Sequence, residues 1–207
     1  MNEKATLTYL GHSSLKLITP EGCVAYIDPY AGDDYAEPAD AILITHEHFD
    51  HNNLEKVINR ASTCRIVRSA DAINGSFHND FDLGWMYIHP VEAGYNAFHD
   101  VSECVGYILT LSNGKKIYVS GDTSITEQMR TGALAREHID YAFWCCDGDY
   151  NMDIPEAIEA SRLVKAQHNI PYHIVSTDTG RIFDLRRAQA FIAPGALIIQ
   201  PSETIEL

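Results

Sequence analysis

The chain predicts a single α/β domain over residues 1–207, and three observations carry that prediction. Short apolar strand-like runs alternate with helix-like stretches along the whole length. A length of 207 residues suits one hydrophobic core better than two. No linker, low-complexity tract or internal repeat divides the chain.

Strand-like segments open it: TLTYL (6–10), SSLKLI (13–18), in which Leu15 and Leu17 alternate with Ser14 and Lys16, and CVAYID (23–28). Gly11 and the Pro-Glu-Gly at 20–22 supply the turns. After a polar stretch, AILIT (41–45) reads as a buried strand, and Asn52 caps an expected helix with Leu54, Val57 and Ile58 on one face. CRIVRS (64–69) is strand-like, and 70–84 reads as loop or irregular helix. CVGYILTL (104–111) and KIYVSGD (116–122) flank Ser112-Asn113-Gly114-Lys115, where Asn-Gly signals a tight hairpin. A helix is expected around 126–137, a buried strand at YAFWCC (141–146), and a helix with Pro155 in its first turn. IPYHIV (170–175) reads as strand. A helix begun by Asp184 turns Leu185, Ala188 and Ile192 inward, and ALIIQ (196–200) closes the chain as a strand.

Composition narrows the function. A net charge of −14, from 29 acidic and 15 basic residues, opposes a broad nucleic-acid interface, and no basic run with interleaved aromatics offers a local one. No apolar run is long enough to cross a bilayer. The N-terminus lacks the basic-then-apolar pattern of a signal peptide, and the five cysteines are an odd number without C-x-x-C spacing. Reduced thiols in a cytoplasm are therefore expected. A small-molecule substrate is the remaining partner, and an anionic one needs local positive charge such as a metal.

The chemistry concentrates in ILITHEHFDHNN (42–53), where a buried strand runs into three histidines and an aspartate. His46 and His48 are two apart, so an extended chain projects both rings to one side, while Asp50 and His51 lie where it must turn. Imidazoles with a carboxylate suit borderline divalent cations. The H-E-x-x-H motif of zinc proteases does not apply, because Asp50 stands where its second histidine belongs.

Further ligands are expected downstream. With Asn113-Gly114 as a two-residue turn, Ser112 pairs with Lys115 and Asp122 falls opposite Val105, six residues after His99. His99 and Asp122 then reach the same end of one sheet. His173 ends a short strand after a helix, whereas His12 suits a supporting role. His78, His89, His138 and His168 sit in polar or helix-end settings and are expected at the surface.

This ordered set resembles the metallo-β-lactamase superfamily, and within it the compact metal-dependent hydrolases similar to L-ascorbate-6-phosphate lactonase. The stretches that carry the resemblance are GHSS (11–14), Ile27-Asp28-Pro29, H-x-H-x-D-H (46–51), YNAFH (95–99), VGYIL, IYVSGDT, GDYNM (148–152), IPYH and the closing QPSETIEL. One stretch departs: Cys145-Cys146-Asp147 stands where relatives commonly carry a proline-led segment. The resemblance implies an α+β fold, the αβ/βα four-layer sandwich of two mixed β-sheets packed face to face with helices outside. It also implies two divalent metal ions, zinc first, with manganese, iron or nickel as alternatives. His46, His48 and His99 would hold one ion, and Asp50, His51 and His173 the other. Asp122 would bridge them, and Asp28 would orient ligand histidines without touching metal.

The expected activity is hydrolysis of an ester, lactone or phosphoester bond in a small anionic molecule, by hydroxide activated between two metals. Asp50 or Asp122 would serve as the catalytic proton acceptor. Two other classes compete. A non-enzymatic metal-binding or sensor module would be expected to have lost some of the seven ligand positions, all of which are filled here. A diiron redox protein of the same fold typically has glutamate where this chain has His48.

Overall fold

The strands found in the computed structural model, which describes residues 4–207, form two six-stranded sheets and a two-stranded hairpin. The first three residues of the N-terminal reading lie outside the described residues. In spatial order, the first sheet runs Thr204–Glu206, Thr6–Gly11, Ser14–Ile18, Val24–Ile27, Ala39–Leu43 and Arg60–Val67. The second runs His168–Tyr172, Tyr141–Cys145, Lys116–Val119, Val105–Leu111, Met86–Glu92 and Phe81–Asp82. Each sheet is mixed. Three neighbouring strands at one side are parallel and the rest antiparallel.

Strict alternation explains how the sheets pack. Leu7, Tyr9, Leu15, Leu17, Ala25, Ile27, Ala41 and Leu43 belong to one core that also takes in Ile88, Tyr107, Leu109 and Val119 of the second sheet. Leu10, Val24, Tyr26 and Ile42 point the other way, into a smaller cluster with Tyr35 and Val57. Each fully buried large aliphatic side chain contributes about 1.5–3 kcal/mol. A one-residue slip would exchange the two clusters, so the pattern also sets register.

The helical layers are unequal. The helix Ile154–Val164 packs on the strand Tyr141–Cys145 and buries Ala157, Ala160 and Val164. It starts where the Asp153 carboxylate accepts the Glu156 N–H at 2.8 Å, with Pro155 in the first turn. Among the described residues, the outer cluster of the first sheet takes in Tyr35, Leu54 and Val57 from the loop segments, where the helical content is the 3₁₀ turn Leu54–Lys56.

Several expectations need correction. The helix expected after Asn52 is that short turn, and Ile58 is exposed. Three apolar positions are too few to hold a helix without a longer buried stripe. The helix expected over 126–137 is two pieces, Glu127–Arg130 and the 3₁₀ turn Leu134–Glu137, parted at Gly132 in the left-handed region. In the helix Leu185–Gln189 only Ala188 is buried, and Leu185 and Ile192 face outward. The segment 196–200 makes only an isolated bridge from Ala196 to Asn169, and Thr204–Glu206 is the closing strand.

The hairpin register also differs. Tyr107 pairs with Val119 and Thr110 with Lys116, so the turn is the three-residue loop Ser112-Asn113-Gly114 with Gly114 at φ +82°. Asp122 therefore lies one position away from the expected alignment with Val105. It still leaves the strand at the same end of the sheet.

Candidate metal centre

The parallel strands of both sheets point their carboxyl ends at one edge of the sandwich, and the polar residues that follow them collect there. Asp28 follows Val24–Ile27, the His46–His51 run follows Ala39–Leu43, and His12 lies in the turn between the first two strands. From the second sheet come Asp122 after Lys116–Val119, Asp147 after Tyr141–Cys145, and His173 after His168–Tyr172. His99 arrives from the connection before Val105–Leu111. Backbone bonds stitch this edge: His173 N–H donates to the His12 carbonyl at 2.7 Å and Val105 N–H to the Thr45 carbonyl at 3.0 Å.

All seven residues expected to bind metal converge. Ligand atoms of His46, His48 and His99 lie within 4.8 Å of one another, as do those of His12, Asp50, His51 and His173, and those of His46, His51 and Asp122. Asp122 sits among the rest. Its Oδ2 is 3.4 Å from both His99 Nε2 and His173 Nε2, and its Oδ1 is 3.5 Å from His51 Nε2. Two ligands each about 2.1 Å from a shared ion at a tetrahedral angle stand about 3.4 Å apart. The chain spacing therefore fits an intervening cation.

Hydrogen bonds behind the rings orient them. Asp28 is fully buried; its carboxylate accepts the Thr45 N–H at 2.8 Å and the Thr45 hydroxyl at 2.7 Å, and lies 2.8 Å from His51 Nδ1. With the Thr45 proton committed to Asp28, Thr45 Oγ1 is an acceptor for His46 Nδ1 at 3.1 Å. His99 Nδ1 is 3.2 Å from Asn96 Oδ1. Each back-side acceptor places a proton on Nδ1 and leaves Nε2 as the free lone pair facing the centre. Buried His46 Nε2, His51 Nε2, His173 Nε2 and Asp122 Oδ1 have no hydrogen-bond partner among the described residues. Orphaned acceptors aimed at one point are what a cation would satisfy.

The charges are tightly coupled. Burial pushes the Asp122 carboxyl up, but His173 and His51 together outweigh it and hold it well below the usual carboxylate range. Burial favours neutral His51, yet Asp122 and Asp28 hold its pKa well above the ordinary value. His46 is driven well below its usual value by burial and by His51. His12, pushed down to about 4 chiefly by burial and by neighbouring His173, lies 3.0 Å from Asp50 Oδ2 through Nε2.

Three residues were not placed in the site by sequence reasoning. His12, given only a supporting role, touches Asp50 and packs its ring 3.8 Å from that of His173. Asp147 is fully buried, with Oδ2 3.3 Å from His173 Nδ1 and Oδ1 accepting the N–H groups of Asp149 and Tyr150 at 2.7 Å each. Asn151 Nδ2 donates both to Asp122 at 2.8 Å and to Asp147 at 2.7 Å. For Asp147 and Asn151 the run Asp147-Gly148-Asp149-Tyr150-Asn151 carries a signal that would have found them, an Asx turn just after a buried strand. His12, Asp28 and His173 adopt left-handed φ values of 51°, 44° and 44°, a strain of about 1–3 kcal/mol each. His138 and His168 are exposed and His78 and His89 partly so, all outside the centre.

Comparison with known proteins agrees with this architecture. Residues 6–173 match the Beta-lactamase superfamily domain. A UPF0173 metal-dependent hydrolase of Rubrobacter xylanophilus is 30% identical over 196 residues, covering 81% of this chain and 80% of its own. A second, from Methanosphaera stadtmanae, is 28% identical over 193 residues, covering 81% and 82%. The crystal structure of a candidate metal-dependent hydrolase from Parabacteroides distasonis superposes with a TM-score of 0.76 at 27% identity, over 94% of this chain and 93% of that one. The two mixed sheets, the edge that gathers the histidines and these likenesses lead to one assignment: the chain belongs to the β-lactamase superfamily, among its metal-dependent hydrolases.

Proposed function

We propose that the protein hydrolyses an ester, lactone or phosphoester bond of a small molecule at a centre built for two divalent ions. The observation that carries this reading is the set of orphaned, buried Nε2 and carboxylate oxygen atoms that converge beside an open cleft. His46, His48 and His99 would hold one ion, Asp50, His51 and His173 the other, with Asp122 between them. Bound there, divalent ions supply a water acidic enough to ionise near neutral pH and an electrophile for developing negative charge.

The protein's own groups do the rest. Water adds to the carbonyl carbon or phosphorus, the bond to the leaving oxygen breaks, and the proton that water gives up reaches that oxygen by way of a carboxylate. We assign this transfer to Asp50, whose side chain is 11% exposed against 4% for Asp122. His12 Nε2–H holds Asp50 in place at 3.0 Å. Asp28, Thr45 and Asn96 fix the imidazoles of His51, His46 and His99, and the Asp147 carboxylate faces His173 Nδ1 at 3.3 Å, so that little reorganisation accompanies the reaction.

Metal analysis of the purified protein, joined to a panel of lactones, esters, phosphodiesters and phosphomonoesters with each metal in turn, tests the reading. Close to two equivalents and chelator-reversible turnover of at least one class are expected. A reconstituted sample that never exceeds one equivalent refutes the two-ion arrangement, and absence of all turnover refutes the hydrolase.

A further inference from the structure

The cleft beside the centre, about 380 Å³ in volume, has a distinctive wall. Beyond the clustered histidines and carboxylates it is lined by Phe49, Phe98, Tyr150, Thr177 and Asp178. Phe49 is 67% exposed and Phe98 55%, and both rings border the same opening. A lone exposed phenylalanine needs no explanation, but two converging on a catalytic cleft do. Each is braced: Phe49 lies edge-on to Tyr30 at 5.9 Å, and Phe98 edge-on to Tyr150 at 4.9 Å. Tyr150 in turn donates its hydroxyl to Asp178 at 2.6 Å.

The wall carries no Lys or Arg. The adjoining hollow, which shares His48, Phe98 and His99, adds Glu47, Asp100 and Glu103 and again no Lys or Arg. Basic residues near these walls are already engaged. Arg68 is paired with Glu47 at 2.6 Å, Arg181 with Asp184 at 2.7 Å, and Arg187 with the Asp147 carbonyl. Positive charge is thus available only where ions would sit, and it would be met by the bond under attack. A second negative group on the substrate would face Asp178 on one side or Asp100 and Glu103 on the other.

We propose that this cleft selects an uncharged ester or lactone bearing an aryl or similarly bulky apolar group, with Phe49, Phe98 and Tyr150 holding that group and the flanking carboxylates excluding dianionic competitors. This rests on the hydrolase reading for the identity of the bond and on the wall alone for the group beside it. It reverses the expectation of an anionic substrate, because the described residues that line the cleft include no Lys or Arg to meet a second charge.

Binding separates the two layers of the argument, since it requires no turnover. The probes are phenylacetohydroxamic acid and succinic monohydroxamic acid, which offer the same metal-binding head and differ in an aryl against a carboxylate tail. Titrated into the zinc-loaded protein, the aryl probe should bind at least about ten-fold more tightly. Phe98→Ala and Phe49→Ala, at exposed positions, should each cut that preference several-fold at unchanged metal content. Asp178→Asn should tighten the succinic probe. Equal or tighter binding of the succinic probe, or a preference that survives both phenylalanine substitutions, overturns the inference. If the preference holds while no substrate class is hydrolysed, the hydrolase reading fails and the apolar cleft stands.

Discussion

His99 Nε2 lies 3.4 Å from Asp122 Oδ2, although 23 positions of sequence and a complete hairpin separate the two residues. Antiparallel pairing of Val105–Leu111 with Lys116–Val119 returns the chain to the end of the sheet from which it left. In the proposed two-ion arrangement Asp122 would offer one oxygen to each ion, which an amide could not do, because its nitrogen is a poor ligand and its charge is zero. Asp122→Asn is expected to stay folded, lose at least one metal, and lower kcat by about 10²-fold or more. Circular dichroism, metal content and turnover on a hydrolysed panel substrate check this. A folded variant with both metals and near-native turnover would take Asp122 out of the centre.

Asp147 holds its loop by accepting two backbone N–H groups, and it also stands behind His173. Asp147→Asn keeps the volume but weakens the hold on the imidazole. Affinity for metal is expected to fall about 10–100-fold, as for other groups that orient a ligand. Competition against a chelator of known affinity measures it. A lower Tm with unchanged metal affinity would leave Asp147 a loop anchor only.

Asp28 is the more severe case. Its removal in Asp28→Ala strands the Thr45 N–H, the Thr45 hydroxyl and His51 Nδ1 in the interior. At about 1–3 kcal/mol per stranded group, a stability loss of more than about 2 kcal/mol is expected, measured by urea unfolding of the metal-free protein. A loss below about 0.5 kcal/mol would show that water replaces the carboxylate.

Cys145 and Cys146 are buried, and neither belongs to a metal-competent group. Their thiols donate to the backbone carbonyls of Thr123 and Tyr172. Replacing both by alanine should leave metal content unchanged and lower stability by about 1–3 kcal/mol in total through lost packing. Loss of metal from the folded double variant would make the thiols ligands after all.

What the sequence disclosed follows from the range of the forces involved. The alternation of SSLKLI and the near-continuous apolar run of CVAYID reflect burial in the sandwich, so those strands were legible. The spacing of His46, His48, Asp50 and His51 survives in the chain itself, and the structure distributes those residues over neighbouring groups at one edge of the sandwich. Short-range signals served less well. Asn113-Gly114 suits both a two-residue turn and the second and third positions of a three-residue one, and strand pairing decides between them. Asp147 was hidden because its partner, His173, lies 26 residues onward on a neighbouring strand. Ile192 looked like core and is exposed, because apolar residues do not announce which of them find a surface to cover; Ile199 is buried as its apolar run suggests, but without a strand around it.

Asp122 stands between His46 and His51 from one sheet and His99 and His173 from the other. An ion held there would rivet two layers, and its occupancy would become a mechanical variable of the fold. At a free concentration one hundred times its Kd, the rivet adds about 2.7 kcal/mol against separation of that edge. The far edge, where Ser112 donates to Glu21, lies outside its grip. Metal loading should therefore slow amide exchange steeply around residues 44–51 and 172–174 and little around residues 20–22 and 112–115. Such a gradient would make the protein a reporter of its own metal supply, opening from one side first when ions grow scarce.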